Sequence, residues 1–236
     1  MFKTFRNALK IEEIRKKLFY TFLMLIVVRF GSQLPTPGVN PEYVKQFFAS
    51  QTGDAFNFFN ALTGGSFESM SIFALSISPY ITSSIIMQLL TIAIPKLEEM
   101  QKDGEDGRKK INKISRYVTV ALALIQSTAM SVAFGRQGLL TEYNFTNVVV
   151  VVLTMTAGSA FLMWAGERIT ENGIGNGISI ILLINILSSI PSDFVRLYGQ
   201  FMEGKKIWMA ILAAVIIIAI ILIVTIFVVL LQGGER

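Results

Sequence analysis

The chain has 236 residues, 53% of them hydrophobic and only 16% charged, against about a quarter charged in ordinary soluble domains. It contains no cysteine and no histidine, which excludes disulfides, thiolate or imidazole metal centres and the common nucleophilic triads. The formal net charge of +5 is clumped between long uncharged runs, the pattern of an integral membrane protein.

The N-terminal stretch FKTFRNALKIEEIRKKL mixes charges with Phe2, Phe5, Leu9 and Leu18 near one helical face. Residues 1–17 are therefore expected to form an interfacial helix on the cytoplasmic surface, not a cleaved signal peptide. A bilayer-crossing helix needs about 20 apolar residues. Six candidate spans follow: Leu18–Leu34, interrupted by Arg29; Ile72–Ile94; Tyr117–Phe134; Phe145–Trp164; the short Ile178–Ile190; and Ile207–Leu231.

Between the first two spans, PTPGVNPEY carries three prolines and a glycine and predicts a rigid turn. DAFNFFNALTGGSFES then places a short apolar half-helix, Ala55 to Leu62, before the helix-breaking Gly64 and Gly65. That order predicts a re-entrant or discontinuous helix, tolerated only where protein or a water-filled cavity covers it; a short surface helix is the alternative. The second span carries Ser76, Ser78, Thr82, Ser83, Ser84 and Gln88, with Pro79 near its start. Helix packing and a cavity lining both explain such polarity. Ile77, Ile81 and Gln88 share one face of that span. Residues 95–116 hold seven basic side chains, and the mixed charge predicts a solvated, weakly folded loop. Fifteen Lys and Arg fall on one side of the predicted spans and five on the other, which puts both termini in the cytoplasm.

Gly173, Gly175 and Gly177 in GERITENGIGNGISI spell G-x-G-x-G, which has the wrong spacing for a dinucleotide fingerprint and follows a membrane span. GQFMEGKK, Gly199 to Lys206, lacks the magnesium-binding hydroxyl of a P-loop. Neither implies a nucleotide, and no cofactor or metal is expected.

FALSISPYITSSIIMQLL (Phe73 to Leu90) and GERITENGIGNGISI (Gly166 to Ile180) closely resemble two signature stretches of the SecY family, the channel subunits of the bacterial protein-export translocon. RFGSQLPTPGV (Arg29 to Val39) and KDGEDGRKKI (Lys102 to Ile111) resemble two further family passages in the right order. The resemblance covers essentially the whole chain. It implies an all-α membrane protein in a SecY-type bundle: residues 18–190 as the N-terminal half of an inverted repeat, helices one to five, and 207–231 as a sixth helix, the first of an incomplete second half. The rest of that half, with the main docking loops and the opposite gate wall, is expected beyond this sequence. Whether the 236 residues are a natural truncation, a designed half or a partial product stays open.

The resemblance also implies roles. Residues 54–70 match the plug that seals the closed pore, carried by Ala55, Phe56, Phe58, Phe59, Leu62, Gly64, Gly65 and Phe67. Ile77, Ile81 and Leu182 match this half's share of an apolar pore ring, Leu182 standing where isoleucine is common. Thr82, Ile85 and Gln88 match the lateral gate that meets signal sequences, and Arg108, Lys109 and Lys110 a cytoplasmic docking surface. The glycine stretch matches a loop that re-enters beside the fifth helix. Implied partners are SecE- and SecG-like subunits, the SecA motor or the ribosome, the translocating polypeptide with its signal sequence, the lipid of the bacterial cytoplasmic membrane, and an insertase or membrane chaperone for an incomplete chain. No enzymatic activity is implied. A secondary transporter with broken helices is the alternative; the spans beyond the first lack the midplane ionisable residue that ion coupling normally uses. An intramembrane enzyme would need a carboxylate pair or nucleophilic dyad that the spans lack.

Overall fold

A computed structural model describes residues 11–50, 54–201 and 207–234. Residues 1–10 of the expected interfacial helix lie outside them. The described residues form nine helices: α1 (Glu12–Gly31), α2 (Pro41–Ser50), α3 (Asp54–Thr63), α4 (Ser78–Ala93), α5 (Pro95–Lys102), α6 (Glu105–Arg136), α7 (Phe145–Asn172), α8 (Gly177–Phe201) and α9 (Ile207–Gly234). Two isolated β-bridges, Pro35 with Ser71 and Val39 with Leu140, are their only strand-like pairings. The chain is all-α, as expected.

Among the described residues α6 and α7 are each long and apolar enough to cross a membrane, and α4 with α5 qualifies only as a pair bent by 101°. Three local readings change. The second span is not helical from Ile72. Residues 70–77 wind in tight turns, with Met70 and Ser76 at φ 42° and 51°, a region that interrupts a right-handed helix. The helix begins at Ser78, with Pro79 in its first turn, where a missing N–H is harmless. Residues 95–116 are not a weakly folded loop. They form α5, a turn at Gly104 (φ 74°) and the first turns of α6. A Cβ on Gly107 would overlap the Met100 carbonyl, so this glycine lets the two helices close. The helix of the fifth span takes a single residue, Gly177, from the glycine stretch and continues past Ile190 to Phe201.

Helix α6 packs against α4, α5 and α7, and α1 and α4 also pack on α7. The reason is visible in α6, where Ser115, Thr119, Ala123, Ser127 and Ser131 are all buried and recur every four residues. Such a small-residue stripe lets helices approach closely inside a bilayer. Ser127 Oγ lies 3.0 Å from Thr156 Oγ1 of α7, and Ser83 Oγ of α4 donates to the Ser115 carbonyl at 2.8 Å. The Ser and Thr of the second span thus divide: Ser76 and Ser83 pack inside, while Thr82 and Gln88 are exposed. On α1 the pattern reverses outward. Phe19, Phe22, Ile26 and Phe30 are exposed, as lipid-facing side chains are. At its start, outside the span, Glu13 is hydrogen-bonded to Lys17 at 2.9 Å; that bond and the positive charge hold its carboxyl below the usual value.

The chain divides into two units, Met1–Ser188 and Ser189–Arg236. The second holds the end of α8, which includes Pro191, and α9, whose sequence is apolar on every side.

Candidate functional site

The expected plug segment is a ten-residue helix, α3, ending at a hinge. Gly64 and Gly65 have φ 64° and 84°, conformations that favour glycine. The hinge is closed by its own polar groups. Asn60 Nδ2 donates to Glu68 Oε2 at 2.6 Å, and Glu68 N–H donates back to Asn60 Oδ1 at 3.2 Å. The Phe67 N–H reaches Thr63 Oγ1 at 3.1 Å. Phe67 sits edge-on to Phe48 of α2 and Phe134 of α6, with centroids 5.3 and 6.3 Å apart. Phe59 leans on Phe67 at 6.2 Å, Phe58 is exposed and Leu62 is half-buried. The side chains of Ala55 and Phe56 lie outside the described ones.

Behind the hinge the turns of residues 70–77 are buried, although they are not a helix. Their backbone is satisfied from several directions. The Ile72 N–H donates to the Leu34 carbonyl and the Thr36 N–H to the Met70 carbonyl, both at 3.0 Å. Ser159 Oγ of α7 donates to the Ser76 carbonyl at 3.3 Å, and Asn185 Nδ2 of α8 to Ser76 Oγ at 3.2 Å. Gly158 has no Cβ because one would overlap the Ile72 carbonyl. Irregular backbone at membrane depth survives only when it is covered in this way.

The three ring candidates come together at this point. Ile77 is buried, at 1% exposure, in a cluster with Met24, Val28, Phe73, Leu162 and Ile181, and the half-buried Ile81 and Leu182 pack on its outside. Of the three, Ile81 and Leu182 carry the apolar surface outward.

One turn further along α4, a cavity of about 470 Å³ opens between α4, α6, α7 and the start of α8. Ile81, Ser84 and Ile85 line one wall; Asn112, Arg116, Glu167 and Asn176 line the others. Arg116 Nε donates to Glu167 Oε1 at 2.8 Å within this lining. Of the gate candidates only Ile85 faces the cavity; Thr82 and Gln88 lie on the exposed surface of α4.

The glycine stretch forms the α7–α8 hairpin that floors this cavity. A Cβ on Gly177 would overlap the Gly166 carbonyl, one on Gly166 would strike Ile178, and one on Gly173 would strike Thr21 of α1. Asn176 caps α8 by accepting from Ile178 N–H (3.0 Å) and Ser179 N–H (3.3 Å). Gly177 N–H donates to Thr170 Oγ1 at 2.9 Å and Ile174 N–H to Thr21 Oγ1 at 3.2 Å. The amides of Gly173, Ile174, Gly177, Ile178 and Ser179 are engaged within the protein, and the loop is a packing device. Arg108, Lys109 and Lys110 lie exposed on the first turns of α6.

Sequence reasoning missed Arg29 and Asn185 as part of this arrangement. Arg29 Nη1 donates to the Gly64 carbonyl at 3.2 Å. Both are polar residues inside apolar runs, which is itself a functional signal in membrane proteins.

The SecY family profile matches residues 71–236. The chain is 42% identical over 235 residues to the protein translocase subunit SecY of Pseudomonas aeruginosa, covering 96% of this chain and 50% of that protein. It is 44% identical over 208 residues to the Bacillus subtilis protein of the same name, covering 86% and 48%. It spans about half the length of the curated relatives it matches. Among solved structures, one described as a protein conducting channel superposes with a TM-score of 0.53 at 18% identity, covering 79% of this chain and 38% of that one. Sec61 in the canine ribosome-channel complex from the endoplasmic reticulum matches equally well. The fold and the family match agree: this chain is a multi-pass membrane protein of the SecY family.

Proposed function

We propose that this chain forms the first half of a protein-conducting channel for unfolded preproteins and nascent membrane proteins, with α3 as plug, Ile81 and Leu182 as the outward edge of a pore ring over Ile77, and the exposed face of α4 as one lip of a lateral gate. The observation that carries this is the buried, hydrogen-bonded turn of residues 70–77, from which a hinged half-helix departs on one side and a short span on the other. An ion-coupled transporter normally keeps an ionisable residue in the middle of its spans; here the outward edge beside the break, Ile81 and Leu182 over Ile77, is aliphatic. Aliphatic rings exclude ions by dewetting yet deform around a passing chain. No reaction is assigned to the chain, and the conduit is passive. The remaining parts follow the family. SecE- and SecG-like subunits would pack around the bundle, the basic α5–α6 hairpin would face the cytoplasm and meet the SecA motor or the ribosome, and both termini would lie inside the cell.

The test uses a full-length channel whose first half is this sequence, reconstituted in proteoliposomes. Replacing Ile81 and Leu182 together with Ser should raise resting ion conductance while export of a signal-bearing precursor persists. Cysteines at the two positions should crosslink to a precursor halted midway. Unchanged conductance together with no crosslink would overturn the reading.

A further inference from the structure

The plug reading says which segment moves but not what holds it. Arg29 is half-buried near the end of α1, within an expected membrane span. A guanidinium at such depth is costly unless it is paired or bonded to backbone carbonyls. Its Nη1 donates to the carbonyl of Gly64, the first hinge glycine, 35 positions away. The same glycine is enclosed from α8. A Cβ built on it would stand 2.7 Å from Arg29 Nη1, 2.7 Å from Ser188 Oγ and 2.8 Å from the Asn185 carbonyl oxygen. Ser188 Oγ donates to that Asn185 carbonyl at 2.7 Å, and Asn185 Nδ2 continues to Ser76, the residue before Ile77. The Asn185 Oδ1 atom is buried and has no partner among the described residues. Polar groups of α1 and α8 thus form a collar around Gly64 at the C-terminal end of α3, with Arg29 bonded to its carbonyl.

We propose, building on the plug reading, that Arg29 is a positioning residue for gating: its hydrogen bond to the Gly64 carbonyl, inside the collar made with Asn185 and Ser188, holds the plug hinge closed, and opening requires that bond to break. Because Asn185 also holds Ser76, release of the hinge and movement of the ring at Ile77 share a partner. Gly64 is glycine for two reasons at once, its positive φ and the lack of room inside the collar.

The experiment uses the full-length channel carrying this sequence, in proteoliposomes, with spin labels on cysteines replacing Phe58 on α3 and Thr128 on α6, both exposed. Arg29→Met should broaden and lengthen the label-to-label distances and raise resting ion conductance. The closed–open balance should shift by about tenfold, the effect of losing one charge-assisted hydrogen bond. Arg29→Lys, which keeps a donor on a shorter reach, should fall between Met and the parent. Gly64→Ala intrudes on the collar from the other side and should displace the same label, which serves if Arg29→Met does not fold. Deleting residues 57–67 separates the two ideas. If deletion raises conductance but Arg29→Met and Gly64→Ala leave both conductance and distances unchanged, the latch is overturned and the plug stands. If deletion leaves conductance unchanged, the plug reading falls, and the label distances alone still decide whether Arg29 holds the segment.

Discussion

Glycine is the residue in which sequence and structure meet most directly in this chain, because its missing Cβ does a different job at each site. At Gly177 the job is a helix-hairpin crossing: its α-carbon lies against the Gly166 carbonyl, and a backbone atom cannot swing aside as a side chain can. Gly177→Ala should therefore lower stability by about 1–3 kcal/mol, the usual cost of overpacking. Gly233→Ala in α9, where nothing lies within 4 Å, should be neutral or slightly favourable through helix propensity. Thermal unfolding of the two variants in the same detergent is the check, and equal midpoints would show that the crossing tolerates a methyl group. The GERITENGIGNGISI stretch was legible as a site needing bare backbone. Which bare backbone it meets was not, since Gly166 and Gly177 are partners only after α7 and α8 fold back on each other. The polar GGSFES run hides its partners in the same way: Ser66 and Glu68 amides are bonded within the hinge, and a polar residue looks the same in sequence whether its partner is water or Asn60.

Elements were easier to find than to bound. Apolar length placed α6 and α7 correctly, because periodic burial over 32 and 28 residues dominates any local exception. It failed at residues 72–77, where an apolar run is wound in turns with positive φ at Ser76; apolarity reports burial and not backbone conformation. It failed again over 95–116, where charge suggested a loop but Gly107 allowed a helical hairpin. The stripe on α6 sets up a test of what holds the bundle. If Ser127 matters for its hydrogen bond to Thr156, Ser127→Ala and Ser127→Leu should cost alike. If it matters for size, Ala should cost only about 0.6 kcal/mol, the mean for an intramembrane hydrogen bond, and Leu about 1–3 kcal/mol by overpacking. Size is the expected winner, because Ala123 occupies the same stripe with no hydroxyl at all. The readout is the fraction folded on titration from mild detergent into SDS.

At the scale of the whole molecule the question is what 236 residues do by themselves. The first unit has its own interior, with two apolar clusters and small-residue seams between α4, α6 and α7, so it should insert and keep its shape. Yet Thr82, Ile85 and Gln88 lie exposed on α4, a polar and apolar mixture suited neither to lipid nor to water alone. Losing a few polar contacts of about 0.6 kcal/mol each does not expel a helix from the bilayer, so the mismatch weakens assembly rather than insertion. A ring and a gate shared between two halves behave differently. On the proposed reading Ile81 and Leu182 supply only an arc, and an arc has no inside to dewet. The chain spans about half the length of its relatives, and the same reading assigns the surface that would close the arc to the other half. We therefore expect this chain, reconstituted alone, to give neither a resting ion seal nor export of a signal-bearing precursor, and to be retained in cells by a SecE-like subunit, an insertase or a membrane chaperone, or else degraded. Supplying a matching second half as a separate chain should restore export, because the missing contacts are non-covalent. Efficient, signal-dependent export by the 236-residue chain alone would defeat this expectation and would mean that two copies close the ring between them, with the exposed face of α4 as their shared seam.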